Sequence, residues 1–548
     1  MATTRTALDS RAGKFLFTLM VAGLAASATA SEPVERPVYG SDDAVPKSMT
    51  PAEQRWVELN PIVAPARGVT PAPTGDQRAT AEYEPVHGIC LSWKGPSGWK
   101  TIMQQMAMHI TTSGEAFVYV AVSSVSERNE ANTALTNAGA NMNRVRFMLR
   151  PTDTIWIRDY GPRYMYQGNV RAIVDHTYNR PRPNDNNYNS WFAQQLGHAY
   201  YELPLVHGGG NYHLNSQFEG FATDLIMDEN PSLTADEIID IWFDYQAVET
   251  RLTDAYPSSV DSTQHIDMWL QVIGTRAAVI SDWPFESGSI QAQVADGLAS
   301  QLETEGWAIT RVPARRVSGV HYTYTNVVMC NDIVLVPTYT NSLVSPLNQQ
   351  ALNAWASALP DHTIIPINCQ AIVTASGVMH CITMHIPEHL GGDNPTAYLE
   401  TLRGGQQLDP GDTVEIRWLT DVPTPQSLTV SIDLSVDGGS SYGTSIAAGL
   451  ADTGSFIWTV PDIGTTEGRV RITALNGQGL SGFDSSVENI TITGTPVCPG
   501  DVTGSGVVDL ADLNLVLANF GSAGSDGDAN GDGVVDLADL NMVLANFG

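Results

Sequence analysis

The sequence predicts an α/β body followed by an all-β module and a small α module. Three observations predict this. From about residue 81 to 395, short apolar runs such as Ala116–Val122, Arg171–Val174 and Ile333–Val336 alternate with helical stretches such as Ala235–Phe243 and Gln349–Ala358, the pattern of strands joined by helices. From about 400 the helical signals stop. Thr413–Trp418, Ser427–Leu434, Gly454–Val460 and Arg469–Leu475 alternate apolar and polar residues between Gly-, Asp- and Pro-rich turns, as the strands of a β-sandwich do. At the end, VVDLADLNLVLANFG at Val507–Gly521 recurs as VVDLADLNMVLANFG at Val534–Gly548, an internal repeat of one helical unit.

The elements follow in chain order. Residues 1–30 carry Arg5, Arg11 and Lys14, the apolar run Phe15–Ala26, and Ala28-Thr29-Ala30. A charged start, an apolar stretch too short to span a bilayer and a small-x-small site read as a cleaved secretory signal. The expected location is therefore secreted or at the cell surface, with no membrane-spanning domain. Residues 31–80 are rich in Pro, Glu and Thr and read as a linker or pro-segment. Their one helix signal is Thr50-Pro51-Ala52-Glu53, a capping box with Pro at the first helical position. The body is assigned to 81–396 and the sandwich, which resembles immunoglobulin-like or fibronectin-like accessory domains, to 400–495. The repeat takes 498–548.

Charge narrows the partners. The 548 residues hold 28 basic and 59 acidic side chains, a net charge of −31, and the basic set is 24 Arg against 4 Lys with none after Lys100. Such a chain is a poor ligand for nucleic acid or anionic membrane through its net charge, and attracts cations instead. A hydrophobic content of 43% excludes wholesale disorder. Export would place Cys90, Cys330, Cys369, Cys381 and Cys498 in an oxidising compartment. Their odd number leaves one unpaired or bridged to another chain, and spacing does not give the pairing.

Roughly half of the net charge lies after residue 400, and residues 498–548 contain 8 acidic and no basic residues. Each repeat follows an acidic loop. Oxygen ligands at loop positions 1, 3, 5, 9 and 12, a carbonyl at 7 and Gly at 6 make a calcium-loop pattern. The second loop supplies Asp528, Asn530, Asp532, Val534, Asp536 and Asp539. The first supplies Asp501, Thr503, Ser505, Val507, Asp509 and Asp512, and its neutral Thr503 and Ser505 predict weaker binding. Position 12 is Asp rather than Glu, and each loop precedes one helix. This duplicated half EF-hand resembles a type I dockerin, which implies Ca²⁺ in both loops and a cohesin partner. The alternative is a calcium-stabilised terminal cap with no partner.

Four segments between 81 and 395 carry chemistry. Residues 154–162 (TIWIRDYGP) read as a strand ending at a turn with Asp159 at its mouth. Residues 207–211 read HGGGN. Residues 264–267 read QHID, and on a strand His265 and Asp267 would share a side. Residues 376–383 read SGVMHCIT, a Cys just after a Gly-led turn. Singly, each has an ordinary structural reading. The glycines lack the Lys-Ser/Thr of a phosphate loop, and His265 with Asp267 has no third metal ligand at a spacing such as HExxH.

Together, in the order WxRDxGP, GGGN, HxD and GxxHC, they resemble the guanidine-modifying deiminases. VDHTYNRPRPNDNN at Val174–Asn187 and TYTN at Thr323–Asn326 look like the bacterial secreted peptidylarginine deiminases rather than agmatine deiminase. The resemblance implies a five-bladed α/β propeller of the pentein kind over roughly 80–390, with no cofactor for catalysis. It implies Cys381 as the thiolate nucleophile, Asp159 and Asp267 as the carboxylates gripping the guanidinium, and His265 as the proton carrier. Asn326 would be a further active-site residue. Trp156 would wall the substrate stem, and Arg180 and Arg182 would hold the α-carboxylate of a C-terminal arginine, as guanidinium forks suit carboxylates. Ser262 stands where a carboxylate-contacting Tyr is expected, which loosens that expectation. The rival substrate is agmatine, which has no carboxylate. The rival class, a non-catalytic or polysaccharide-acting protein, is suggested only by the accessory modules.

Overall fold

The computed structural model describes residues 34–64, 69–495 and 499–548. The chain divides into Met1–Glu35 and Arg36–Gly548. The predicted signal lies outside the described residues, as does Cys498. All the described helices and strands belong to Arg36–Gly548.

Five small sheets share one plan: an antiparallel pair of strands, a helical crossover, and a third strand parallel to the second. Arg163–Gln167, Val170–Tyr178 and Ala199–His207 form one. His213–Leu214, Glu219–Thr223 and Glu249–Thr253 form the next, then Leu270–Gly274, Ala277–Asp282 and Ala308–Pro313, then Val328–Cys330, Ile333–Thr338 and Thr363–Asn368. A parallel neighbour needs a long crossover, supplied by helices such as Ala235–Gln246, Ile290–Thr304 and Asn348–Ala358. The remaining sheet joins the two ends of the body. Met384–Pro387 pairs antiparallel with Val86–Ser92, which runs parallel to Phe117–Val122 across helix Ser97–Thr112. Strands covered on both faces read as continuous apolar runs, as FVYVAV does at Phe117–Val122.

Two of the strands expected at the site are tight turns. Ile157–Tyr160 is a single helical turn, closed by Gly161 N–H donating to the Ile157 carbonyl at 2.7 Å. Ile266–Met268 is a 3₁₀ turn. The short apolar alternation there suited either form, and buried contacts of Arg158, Asp159 and Asp267 decided it.

Chain boundaries also shift. Gln77–Ala79 pairs with Arg163–Gln167, so the body draws on the segment read as a linker. Thr396–Leu399 pairs with Thr413–Asp421, so the second module starts before 400. That module is two sheets over one core, with Ile416, Trp418 and Trp458 from one and Val430, Ile432, Val470 and Ile490 from the other. It is fixed to the body through buried Asp421, which takes a bidentate pair from Arg171 at 2.7 and 3.1 Å. The terminal helices Leu510–Asn519 and Leu537–Ala545 pack around Val508, Val516, Val535 and Val543. Upstream of the body, Pro51–Leu59 is a helix with the capping box that the sequence predicts.

Candidate active site

Turns at the ends of different sheets bring Asp159, Gly210, His265, Asp267, Asn326 and Cys381 to one place. Asn326 orients the thiol: its Nδ2 lies 3.2 Å from Cys381 Sγ, while its Oδ1 accepts from the main-chain N–H of His380 at 3.1 Å. The thiol donates to Asp267 Oδ2 at 3.4 Å. Asp159 Oδ1 accepts from Gly210 N–H at 3.1 Å and lies 3.4 Å from His265 Nδ1. The glycine run is explained by close approach. A Cβ on Gly210 would stand 2.8 to 2.9 Å from Asp159 Oδ1, His265 Nδ1 and Asp267 Oδ2 together. One on Gly377 would reach Trp156 and Cys381 Sγ. The five catalytic candidates read from the sequence are thus assembled, and all are 0% exposed.

Sequence reasoning missed the group at the centre. Lys47, from the presumed linker, extends its ammonium to 3.1 Å from Cys381 Sγ, 3.4 Å from Asp267 Oδ1 and 3.6 Å from Asp159 Oδ1. Its main chain is held as well. Lys47 N–H donates to the Ala375 carbonyl at 2.9 Å, and Arg180 Nε donates to the Lys47 carbonyl at 3.2 Å. Trp156 donates its indole N–H to the Val45 carbonyl at 2.8 Å. Arg182 binds the Pro46 carbonyl at 2.9 Å, and Glu53 through Nε at 2.7 Å and Nη2 at 3.2 Å. The predicted substrate-binding residues therefore all touch residues 45–53.

Behind the carboxylates runs a second row that the motifs contained without revealing its role. His380 Nδ1 meets Asp267 Oδ2 at 2.9 Å and its Nε2 meets Glu82 at 2.8 Å. Glu82 in turn pairs with Arg158 at 2.5 Å. Glu82, His213 and His380 are the one group placed to ligate a metal among the described residues searched. Both His380 nitrogens are already engaged, by Asp267 and Glu82.

Charge state follows from burial and neighbours. Burial opposes ionisation of Asp159, yet Lys47 and His265 hold its carboxyl down at about 2. Asp267 is held lower still, against burial, by Lys47 and His380. Burial and the nearby Lys47 cation keep His265 below its ordinary value, hence neutral at pH 7. Burial, then Asp267, push the Cys381 thiol up, and Lys47 opposes them only in part. A cation seated between the carboxylates favours the thiolate against burial and the acid charges.

In the C-terminal loops the first and twelfth positions gather main-chain N–H groups. Asp501 accepts from Ser505 at 2.9 Å, and Asp528 from Gly533 at 2.8 Å. Asp512 and Asp539 accept from Thr503 at 2.9 Å and Asn530 at 3.0 Å, and with Asp509 and Asp536 they cap the helices that follow. The sixth-position Gly506 and Gly533 have φ of 84° and 87°. Thr503, Ser505, Asn530, Asp532 and the carbonyls of Val507 and Val534 are the other oxygen-bearing positions of these loops. Cys90, Cys330, Cys369 and Cys381 are free and buried. No helix among the described residues is long and apolar enough to cross a membrane.

The fold and the family match together define a hydrolase of guanidino C–N bonds. The chain belongs to the Porphyromonas-type peptidyl-arginine deiminase family, whose family model matches residues 78–387. A Marinomonas sp. (strain MWYL1) relative, provisionally named an agmatine deiminase, is 22% identical over 361 residues, covering 57% of this chain and 94% of its own. Among solved structures, one from Porphyromonas gingivalis, provisionally described as an arginine deiminase, is 21% identical with a TM-score of 0.51, covering 57% of this chain and 99% of its own. The agmatine deiminase of Enterococcus faecalis is 18% identical with a TM-score of 0.51, covering 59% of this chain and 100% of its own. At these identities the structures establish the shared α/β fold.

Proposed function

We propose that this enzyme converts arginine within or at the end of a peptide to citrulline, releasing ammonia. The seat of the Lys47 ammonium carries the reading: a cation held by two buried carboxylates, 3.1 Å from a cysteine sulfur. A guanidinium in that seat would receive charge-assisted contacts from Asp159 and Asp267 and present its carbon to Cys381. Neutral His265 takes the thiol proton as Sγ adds to that carbon, then delivers it to the amino group that leaves as ammonia. The remaining thiouronium is attacked by water. His265 accepts the water proton, the C–S bond breaks, and a ureido group and regenerated thiol remain. The five sheets fit the blades of a pentein propeller.

Peptide, rather than agmatine, is favoured by main-chain recognition around Lys47, where Ala375 and Arg180 bind the N–H and C=O of one residue. A C-terminal carboxylate would fall where the Lys47 carbonyl meets Arg180. Ureido product and ammonia are to be measured from C-terminal-Arg peptide, internal-Arg peptide, arginine and agmatine. Turnover of agmatine alone would overturn the peptide reading, and activity retained by Cys381→Ala would overturn the thiolate mechanism. Arg180→Ala with Arg182→Ala should raise KM for peptides relative to agmatine. The remaining modules fit export by the N-terminal signal and tethering through a calcium-loaded, dockerin-type tail to a cohesin.

A further inference from the structure

Lysine and arginine side chains match atom for atom up to the reacting position. Lys Nζ and Arg Cζ are each the fifth atom beyond Cα. Lys47 Nζ thus stands where the electrophilic carbon of a substrate arginine would stand, at 3.1 Å from Cys381 Sγ, within near-attack range of about 3–3.5 Å. An ammonium nitrogen has no leaving group and accepts no nucleophile, so the seat is filled by a group that cannot react. The surrounding chain completes the imitation. Glu53 presents a carboxylate to Arg182, the partner expected of a substrate carboxylate. Lys47, Glu53, Asp159, Asp267 and Cys381 are all 0% exposed, so with this segment in place no open path reaches the thiol.

The segment is held by means that can be undone. Along helix Pro51–Leu59 Glu53 is the one fully buried side chain, while Trp56 and Val57 are only partly covered. Its neighbours dock through polar contacts, including Lys100 with Asp42 at 2.7 Å and Gly95 N–H with the Ser41 carbonyl at 2.8 Å. A groove of about 600 Å³, lined by Met49, Val57, Val63, Arg180 and Glu229, separates the segment from the body on one side. Leu59 at the end of the helix and Val63 beyond it are 66% and 71% exposed, open to a protease.

We propose that residues 41–59 are a built-in inhibitor in which Lys47 is seated as an unreactive arginine analogue, so that the enzyme turns over outside substrates only when this segment leaves the cleft. The inference rests on the deiminase reading for the identity of the mimicked substrate, but occlusion of Cys381 can be measured without it. Full-length wild type, Lys47→Ala and Glu53→Gln are compared in two ways: the rate of iodoacetamide labelling of Cys381, followed by peptide mass spectrometry, and ureido product from an arginine peptide. If the open form is about a tenth of the wild-type population or less, both rates rise about tenfold or more on weakening the segment. Glu53→Gln lies away from the reacting atoms and decides the matter should Lys47→Ala fold poorly. Cutting wild type in the exposed stretch after Leu59 should reproduce the gain. Equal labelling and equal turnover in wild type, variants and cut protein would overturn the proposal. Faster labelling with no ureido product from any arginine compound would leave the occlusion standing and remove the deiminase reading.

Discussion

Replacing Lys47 by Arg would turn the inhibitor into a substrate. The geometry sets the scale. The new Cζ would occupy the Nζ position 3.1 Å from Cys381 Sγ, and its terminal nitrogens would point on toward Asp159 and Asp267, now 3.6 and 3.4 Å from Nζ. A reactive group held so well can act as though present at an effective concentration of about 10⁵–10⁸ M. Conversion should therefore be first order, unchanged by diluting the protein, and unaffected by millimolar peptide. Peptide mass spectrometry of residue 47 reads the outcome. The introduced arginine should become citrulline with one equivalent of ammonia or, where water is kept out, remain as a thiouronium cross-link to Cys381. The companion protein carrying both Lys47→Arg and Cys381→Ala should keep that arginine intact. Citrulline is neutral, so its formation strips two buried carboxylates of their cation, a loss of about 3–5 kcal/mol for a broken buried pair. Turnover of added peptide should then rise with time. A folded Lys47→Arg protein whose new side chain stays unmodified and uncross-linked would refute the placement of Lys47 in the substrate seat.

Gly210→Ala should lose activity by about 10²-fold or more, as a misplacement near 1 Å does. Its Cβ would displace Asp159, His265 and Asp267 at once, and an unchanged kcat would contradict the packing. Protection of Cys381, taken as the ratio of variant to wild-type labelling, should be pH-dependent. His265 and Glu53 have lowered values in the docked state and Lys47 a raised one. Docking strength is therefore full between the ordinary His value of 6.5 and the ordinary Lys value of 10.5. It weakens as pH falls below 6.5, because the opened site takes up protons, and a ratio rising on acidification would contradict this sign. In the tail, chelator should lower the melting temperature of the C-terminal helices, because acids gathered without Ca²⁺ repel one another. Far-UV circular dichroism indifferent to chelator would remove calcium from the account.

The candidate catalytic set was legible through the family resemblance, because its residues lie in short words. Cys381, the His265–Asp267 pair and the glycine run each sit in a short word, and the structure brings those words together. The three strands and two helices read from periodicity in the body are present, to within a few residues at their ends. The site turns were not legible, because in Ile157–Tyr160 and Ile266–Met268 tertiary contacts outweigh a weak local preference. Lys47 was hidden for another reason. It lies 220 residues from Asp267 and 334 from Cys381, in Pro-rich chain with no periodicity. Two signals were nonetheless present: the Thr50–Glu53 capping box, and the scarcity of lysine, which leaves Lys47 the single one between the predicted leader and the body. Glu82, which braces His380, carried no signal at all.

The same arithmetic of charge explains why a cation belongs in this cleft when no substrate is there. A site that grips guanidinium must keep Asp159 and Asp267 ionised and dry. Two like charges held together without a counter-ion weaken the fold that holds them. In the docked state Lys47 neutralises them, and Glu53 does the same for Arg182. Inhibition and stability are thus two consequences of one set of contacts. Lysine meets both needs where arginine could meet only the second, since arginine would be consumed. On this view the acidity of the chain has its counterpart in the cleft, where the chain supplies its own basic ligand until a substrate replaces it.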